Sequence, residues 1–244
     1  MEESLKIFET TYRLIQQTID DLVRLTASEK KRIHWAISGG STPKEIFKAL
    51  AEKSNLERIN WEKVHFWWVD ERCVGKDDPE SNYGEANKLL LSHLDISEDQ
   101  IHRVKGELSP AQAAIEYIHE IKSFVKEYDH GYPVFDLIWL GMGDDGHTAS
   151  LFVECFSSSD QSWVTVTSHP KTGQSRITLT LPVINYAKKV AFIVTGQSKQ
   201  QMLKTVISGS ETSLIYPAAN VKPFNGELIW YVDSQAAAKL NVVS

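Results

Sequence analysis

Cysteine is almost absent from this 244-residue chain, with only Cys73 and Cys155, far apart in sequence. That excludes a disulfide framework or a cysteine metal knuckle, and it fits a reducing cytoplasm. No apolar run approaches the ~18 residues that would span a bilayer. The opening MEESLKIFET has neither a basic n-region nor an apolar h-region. Neither a membrane span nor a signal peptide is therefore expected, and the expected location is cytoplasmic. Basic clustering is missing too: 26 Lys and Arg against 32 Asp and Glu leave a net charge of −6, with both signs mixed along the chain. Nucleic acid is thus not an expected partner. None of the 8 histidines stands in H-E-x-x-H or a comparable ligand spacing, so no catalytic metal is expected. The G-x-S-x-G elbow of serine acyl-enzymes does not occur, and no G-K-[ST] marks a Walker loop. Without repeats or low-complexity linkers, the length suits one large α/β domain over residues 1–244.

What the chain does have is concentrated at Phe135–Phe152, FDLIWLGMGDDGHTASLF. Leu137 to Leu140 form a bulky apolar block of the kind buried on both faces of a parallel sheet. Gly141, Gly143 and Gly146 end it, and a helix is expected from Thr148. His147 then lies at the carboxyl end of a strand, the edge where open α/β sheets bind ligands. Gly141 to Gly146 match G-x-G-x-x-G, but Asp144 and Asp145 would face a pyrophosphate with like charge. The next strand candidate, Trp163–Val166, is followed by Thr167 and Ser168, with no acid for a ribose. The glycines are read instead as a turn presenting Asp145 and His147, with Asp145 also able to cap the following helix.

Elsewhere strands and helices alternate. Leu5, Phe8, Tyr12, Ile15, Ile19 and Leu22 recur at three and four, predicting an N-terminal amphipathic helix. Ile33–Ile37 predicts a strand that leaves through Gly39, Gly40, Ser41 and Thr42 into a helix with Pro43 in its first turn, a ready anion site. Val64–Val69 predicts a buried strand delivering Asp70, Glu71 and Arg72 to the same edge. A polar loop reaching Asn82 and a helix at Tyr83–Leu91 follow, then a short strand at Ile101–Val104. Ser109 and Pro110 open a helix whose stripe is Ile115, Ile118, Ile121 and Val125. A strand at Arg176–Leu181 has Arg176 at its mouth, and one at Val190–Thr195 exits through Gly196 to Lys199 into a helix. A last strand, Leu228–Val232, and a short helix, Ala236–Leu240, close the chain. This order predicts a doubly wound, mainly parallel, Rossmann-like sheet with helices on both faces.

On that sheet, the turns at Gly39–Thr42, Asp70–Arg72, Asp145–His147 and Gly196–Lys199 converge on one edge. Together they offer N–H groups and cations for a phosphate, carboxylates, and an imidazole suited to proton transfer near neutral pH. The chemistry indicated is proton-transfer or hydrolytic work on a phosphorylated metabolite.

SGGSTP at 38–43, VDERCV at 69–74, DDPESN at 77–82, GMGDDGHTASLF at 141–152, RITLTLPVIN at 176–185 and TGQSK at 195–199 together resemble the 6-phosphogluconolactonase family. Its fold is shared with glucosamine-6-phosphate deaminase. The resemblance implies hydrolysis of a phosphorylated sugar lactone without a cofactor, by a monomer or weak homo-oligomer. His147 would be the general base that activates water. Gly39, Gly40, Ser41, Thr42, Arg176 and Lys199 would hold the phosphate, with Asn82 also in the substrate site. Arg72 would lie near the lactone, and Asp70 and Asp145 would orient the imidazole or the sugar hydroxyls. A deaminase would carry a glutamate five residues after the histidine, where this chain has Phe152. The family usually has proline at the position of Val153. A deaminase or isomerase, and a non-catalytic sugar-phosphate sensor, stay open as the other readings.

Overall fold

The computed structural model describes residues 2–240. In chain order it contains β1 (Glu2–Phe8), α1 (Thr11–Thr26), β2 (Ile33–Ile37), α2 (Ser41–Ala51), α3 (Lys53–Leu56), β3 (Val64–Trp68), β4 (Asp70–Arg72) and α4 (Asn82–Leu89). Next come β5 (Ile101–His102), α5 (Pro110–Phe124), β6 (Tyr128–Asp129), β7 (Tyr132–Pro133), β8 (Leu137–Leu140), β9 (Val164–Ser168) and β10 (Ser175–Leu179). The chain finishes with α6 (Leu181–Asn185), β11 (Lys189–Val194), α7 (Gln200–Ile207), β12 (Glu227–Asp233) and α8 (Ser234–Ala237).

Seven strands form one sheet in the order β1-β12-β11-β8-β2-β3-β5, and every pairing in it is parallel. Every residue of β2, β3 and β8 is buried, which is why these strands read as continuous apolar runs rather than alternating ones. From β2 the chain moves outward to β3 and β5; it returns through β8 on the other side of β2 and then moves out to β11 and β12. The order therefore reverses between β2 and β8. The loops leaving those neighbours diverge and open a crevice at their carboxyl ends, the general ligand position in such sheets.

A second sheet, β4-β10-β9, is antiparallel and stands at that edge. It is fastened there by Val69 N–H donating to Ile37 O at 2.9 Å and Leu179 N–H donating to Val69 O at 2.8 Å. Asp70–Arg72, expected as a turn, is thus a strand: three polar residues that extend because β10 supplies their hydrogen bonds.

Four further expectations are corrected. Leu5 and Phe8 lie in β1, and the helix starts only at Thr11, where Thr10 caps it by accepting from Arg13 N–H. No helix follows His147; Thr148 and Leu151 form a single antiparallel bridge, so Asp145 caps nothing. In α5 the buried stripe is Ala113, Ala114, Tyr117 and Ile121, whereas Ile115 is exposed. The strand expected at Ile101–Val104 is limited to Ile101 and His102.

At the amino ends of the strands, three buried histidines cross β2, β3 and β5. His65 Nδ1 is 2.9 Å from His102 Nε2, His102 Nδ1 is 2.7 Å from Glu120 Oε1, and Trp67 Nε1 donates to His34 Nδ1 at 3.1 Å. Burial, then neighbouring imidazole charge, pushes His34 down to about 3 and His65 down to about 4.

Candidate active site

The crevice between the β2 and β8 exits is an open cleft of about 260 Å³. Gly39, Gly40, Ser41, Thr42, Asp70, Arg72, Asn82, His147 and Lys199 all line it. Arg176 does not.

Ser38 Oγ donates to Trp139 O at 2.8 Å, tying the ends of β2 and β8 together. At Gly39 the chain passes so close to Asn82 that an added Cβ would overlap its side-chain amide. The α2 N-terminus that follows has no side-chain cap. Its first N–H groups are therefore left for a ligand, and the helix dipole favours an anion there. Thr42 Oγ1 is 2.7 Å from Thr195 Oγ1, which joins this loop to the end of β11.

On β4, Asp70 Oδ2 accepts from Ser150 Oγ at 2.6 Å, so Asp70 is held to the histidine loop but not to the imidazole. Asn82 Nδ2 donates to Asp70 O at 2.9 Å. Glu71, on the opposite face of the strand, is buried and accepts from the N–H groups of Asn82 and Tyr83 at 2.7 and 2.8 Å, fixing the start of α4. Burial pushes its carboxyl pKa up against the pull of those N–H groups. Arg72 donates to Glu80 O at 2.5 Å and is paired across the ladder with Arg176.

Arg176 is nine-tenths buried, and its Nε has no hydrogen-bond partner among the described residues. Burial first, and then the like charge of Arg72, lowers its pKa from the usual guanidinium value. Lys199 lines the cleft, and Arg176 is not among the lining residues. The antiparallel pairing of β10 with β4 puts it beside Arg72, which does line the cleft.

His147 is set by a tight loop. Gly143 N–H donates to His147 O at 2.9 Å, Gly146 N–H to Gly143 O at 3.1 Å, and Thr148 Oγ1 to Gly141 O at 2.8 Å. Asp145 Oδ1 is 2.6 Å from His147 Nδ1 and also accepts from the His147 N–H at 3.2 Å. Burial works against ionisation of Asp145, but the charge and N–H groups of His147 outweigh it and hold the carboxyl below its ordinary range. A carboxylate on Nδ1 assigns the proton to that nitrogen and leaves Nε2 as the base. Ala149, which follows in the cleft wall, has φ of 49°. Backbone strain of that kind collects at functional sites.

Lys199 is ion-paired with Asp144 at 2.5 Å, and Ser198 Oγ also donates to Asp144 at 3.2 Å. The bond from Lys199 is the main reason the Asp144 carboxyl falls below its usual pKa. Among the described residues no group of three or more His, Cys, Asp or Glu side chains could hold a metal ion.

The family described as glucosamine-6-phosphate isomerases/6-phosphogluconolactonase matches residues 8–230. The chain belongs to this family. A 6-phosphogluconolactonase of Haemophilus influenzae is 45% identical over 210 residues, 85% of this chain and 88% of that protein. The crystal structure of devB protein superposes with a TM-score of 0.94 at 40% identity, covering 98% of this chain and 99% of the other. The 6-phosphogluconolactonase of Trypanosoma brucei gives a TM-score of 0.84 at 25% identity, over 98% and 99%.

Ser38, Ser150 and Thr195 were not singled out in the sequence as functional. They hold the loops of this site together, and only the pairing of distant strands reveals their partners. The Asp144–Lys199 pair was legible only as two separate charges near strand exits.

Proposed function

We propose that this chain hydrolyses 6-phospho-D-glucono-1,5-lactone to 6-phospho-D-gluconate, the lactonase step of the oxidative pentose phosphate pathway. The observation that carries the reading is the His147–Asp145 pair, in the same cleft as an uncapped helix N-terminus and two cations. His147 Nε2 takes a proton from water as its oxygen attacks the lactone carbonyl. Arg72 faces the oxyanion that develops there. The tetrahedral intermediate then expels the ring oxygen, and the imidazolium returns its proton to that oxygen. Gly39 to Thr42 and Lys199 hold the phosphate, Asn82 shapes the sugar pocket, and no cofactor enters.

The whole chain, 1–244, is read as one domain acting on a small anionic substrate in the cytoplasm, as a monomer or weak homo-oligomer. Net negative charge speaks against nucleic acid. No helix among the described residues is long and apolar enough to cross a membrane.

Purified protein assayed on freshly made lactone, against its spontaneous hydrolysis, tests the reading. The outcome expected is rapid enzyme-dependent acid release; a rate equal to the buffer blank would overturn it. Against the deaminase reading stands Phe152, an apolar ring with no proton to give to sugar-ring opening, so no ammonia is expected from glucosamine 6-phosphate.

A further inference from the structure

The imidazole of His147 has three close neighbours, of which its hydrogen bond to Asp145 is only one. Gly143 is a second: a Cβ there would overlap Nδ1 and Cε1 of the ring and the Asp145 carboxylate, so backbone lies directly against the imidazole. The third is Phe152, whose ring centroid is 5.1 Å from that of His147 with the planes at 53°. Phe152 is buried, and it meets His169 at 5.1 Å and 71°, an edge-to-face contact. His169 belongs to the hairpin between β9 and β10. There its N–H donates to Gln174 O at 2.9 Å, and its Nδ1 accepts from the N–H groups of Lys171 and Thr172, both at 3.3 Å. The series from hairpin to His169, Phe152 and His147 is thus fixed at its outer end by backbone hydrogen bonds.

We propose that Phe152, supported by His169, is a positioning residue that fixes the ring plane of His147, so that Nε2 stays aimed into the cleft. This rests on the reading of His147 as the general base. A hydrogen bond to Asp145 fixes one point of the imidazole but leaves rotation about the ring torsion, which is soft for histidine. A flat aromatic wall removes that freedom. A small misplacement of a base costs a large part of its effect, because the reacting atoms must lie about 3 Å apart. The charged groups around His147 are Asp145 and Asp144 on its own loop, Asp70 and Arg72 on β4, and Lys199 after β11. Phe152 separates it from His169.

The experiment compares Phe152→Leu and Phe152→Tyr in two readouts. In steady-state lactonase assays the leucine variant should lose about tenfold or more in kcat with KM within about twofold, and the tyrosine variant should recover most of the loss. In NMR of the His147 ring nitrogens of the free enzyme, the Nδ1–H form of the leucine variant should no longer be the sole neutral tautomer. The NMR readout needs no turnover, so it judges Phe152 even if the parent fails to hydrolyse the lactone. An unchanged tautomer in Phe152→Leu would overturn the proposal, as would equal kcat losses in both variants. Should Phe152→Leu fail to fold, His169→Ala supplies the same tautomer measurement; a smaller loss of the Nδ1–H form is expected, and no change would overturn the proposal.

Discussion

Oδ1 of Asp145 takes two hydrogen bonds from one residue, His147, through Nδ1 at 2.6 Å and the backbone N–H at 3.2 Å. The imidazole is thereby tethered at both ends of its side chain, and its tautomer is chosen. His147→Asn should lower kcat by about 10²–10⁴-fold while leaving binding of 6-phosphogluconate nearly intact. Asp145→Asn should lower kcat as well, because the carboxylate that holds the Nδ1–H tautomer is gone. A kcat equal to the parent's in steady-state assays would mean that Asp145 does not set the ring.

Lys199 is already paired with Asp144, so an anionic ligand must compete for it. Lys199→Ala should weaken 6-phosphogluconate binding by about 1.5–3 kcal/mol, the range for a hydrogen bond to a charged group. Asp144→Asn should tighten binding. Calorimetric titration distinguishes the two; weaker binding in Asp144→Asn would mean that the ion pair builds the site instead of competing for it.

Arg176 is a buried cation whose Nε has no partner among the described residues. Burying such a charge costs folding free energy that an apolar side chain of similar volume would not. Arg176→Met is therefore expected to raise the melting temperature while weakening ligand binding only through its ladder partner Arg72, which lines the cleft. A variant that loses stability and binds normally would make Arg176 structural.

The histidines at the other end of the sheet set acid stability. His34 and His65 are pushed down to about 3 and about 4 in the fold, against an ordinary 6.5. Below pH 6.5 the unfolded chain takes up protons that these buried rings refuse, so stability is full above that pH and falls as pH drops toward 4. Urea unfolding midpoints across that window should decline, and less steeply in a His65→Phe variant. Parallel declines would assign the effect to other groups.

The alternation of β2, α2, β3 and α4 was legible because fully buried strands and helix starts write local patterns: IHWAI and VHFWW are apolar throughout, Pro43 stands in the first turn of α2, and Ser81 caps α4. The failures share a cause. Leu5, Phe8 and Tyr12 keep helical spacing, but Leu5 belongs to an edge strand held only by β12, with its side chain partly exposed, and no periodicity distinguishes that from a helix face. The segment after His147 has helix-compatible residues whose side chains are engaged elsewhere: Thr148 with Gly141, and Ser150 with Asp70. Asp70–Arg72 reads as a turn because its strand partner, β10, lies about a hundred residues away in the chain. The pairing of Arg176 with Arg72 was hidden for the same reason: composition supplies the charges, but only register decides which neighbour each one faces.

The reversal of strand order between β2 and β8 also governs the time course of folding. The cleft draws on loops at Gly39, Asp70, His147 and Lys199, and none of these is neighbour to another until the parallel pairings of β2 with β3 and with β8 have formed. Parallel pairings across long chain separations have high contact order and form late. The chain therefore acquires its helices early and its catalytic geometry last, so the return of activity after dilution from denaturant should follow the slowest phase of tryptophan fluorescence, and never precede it.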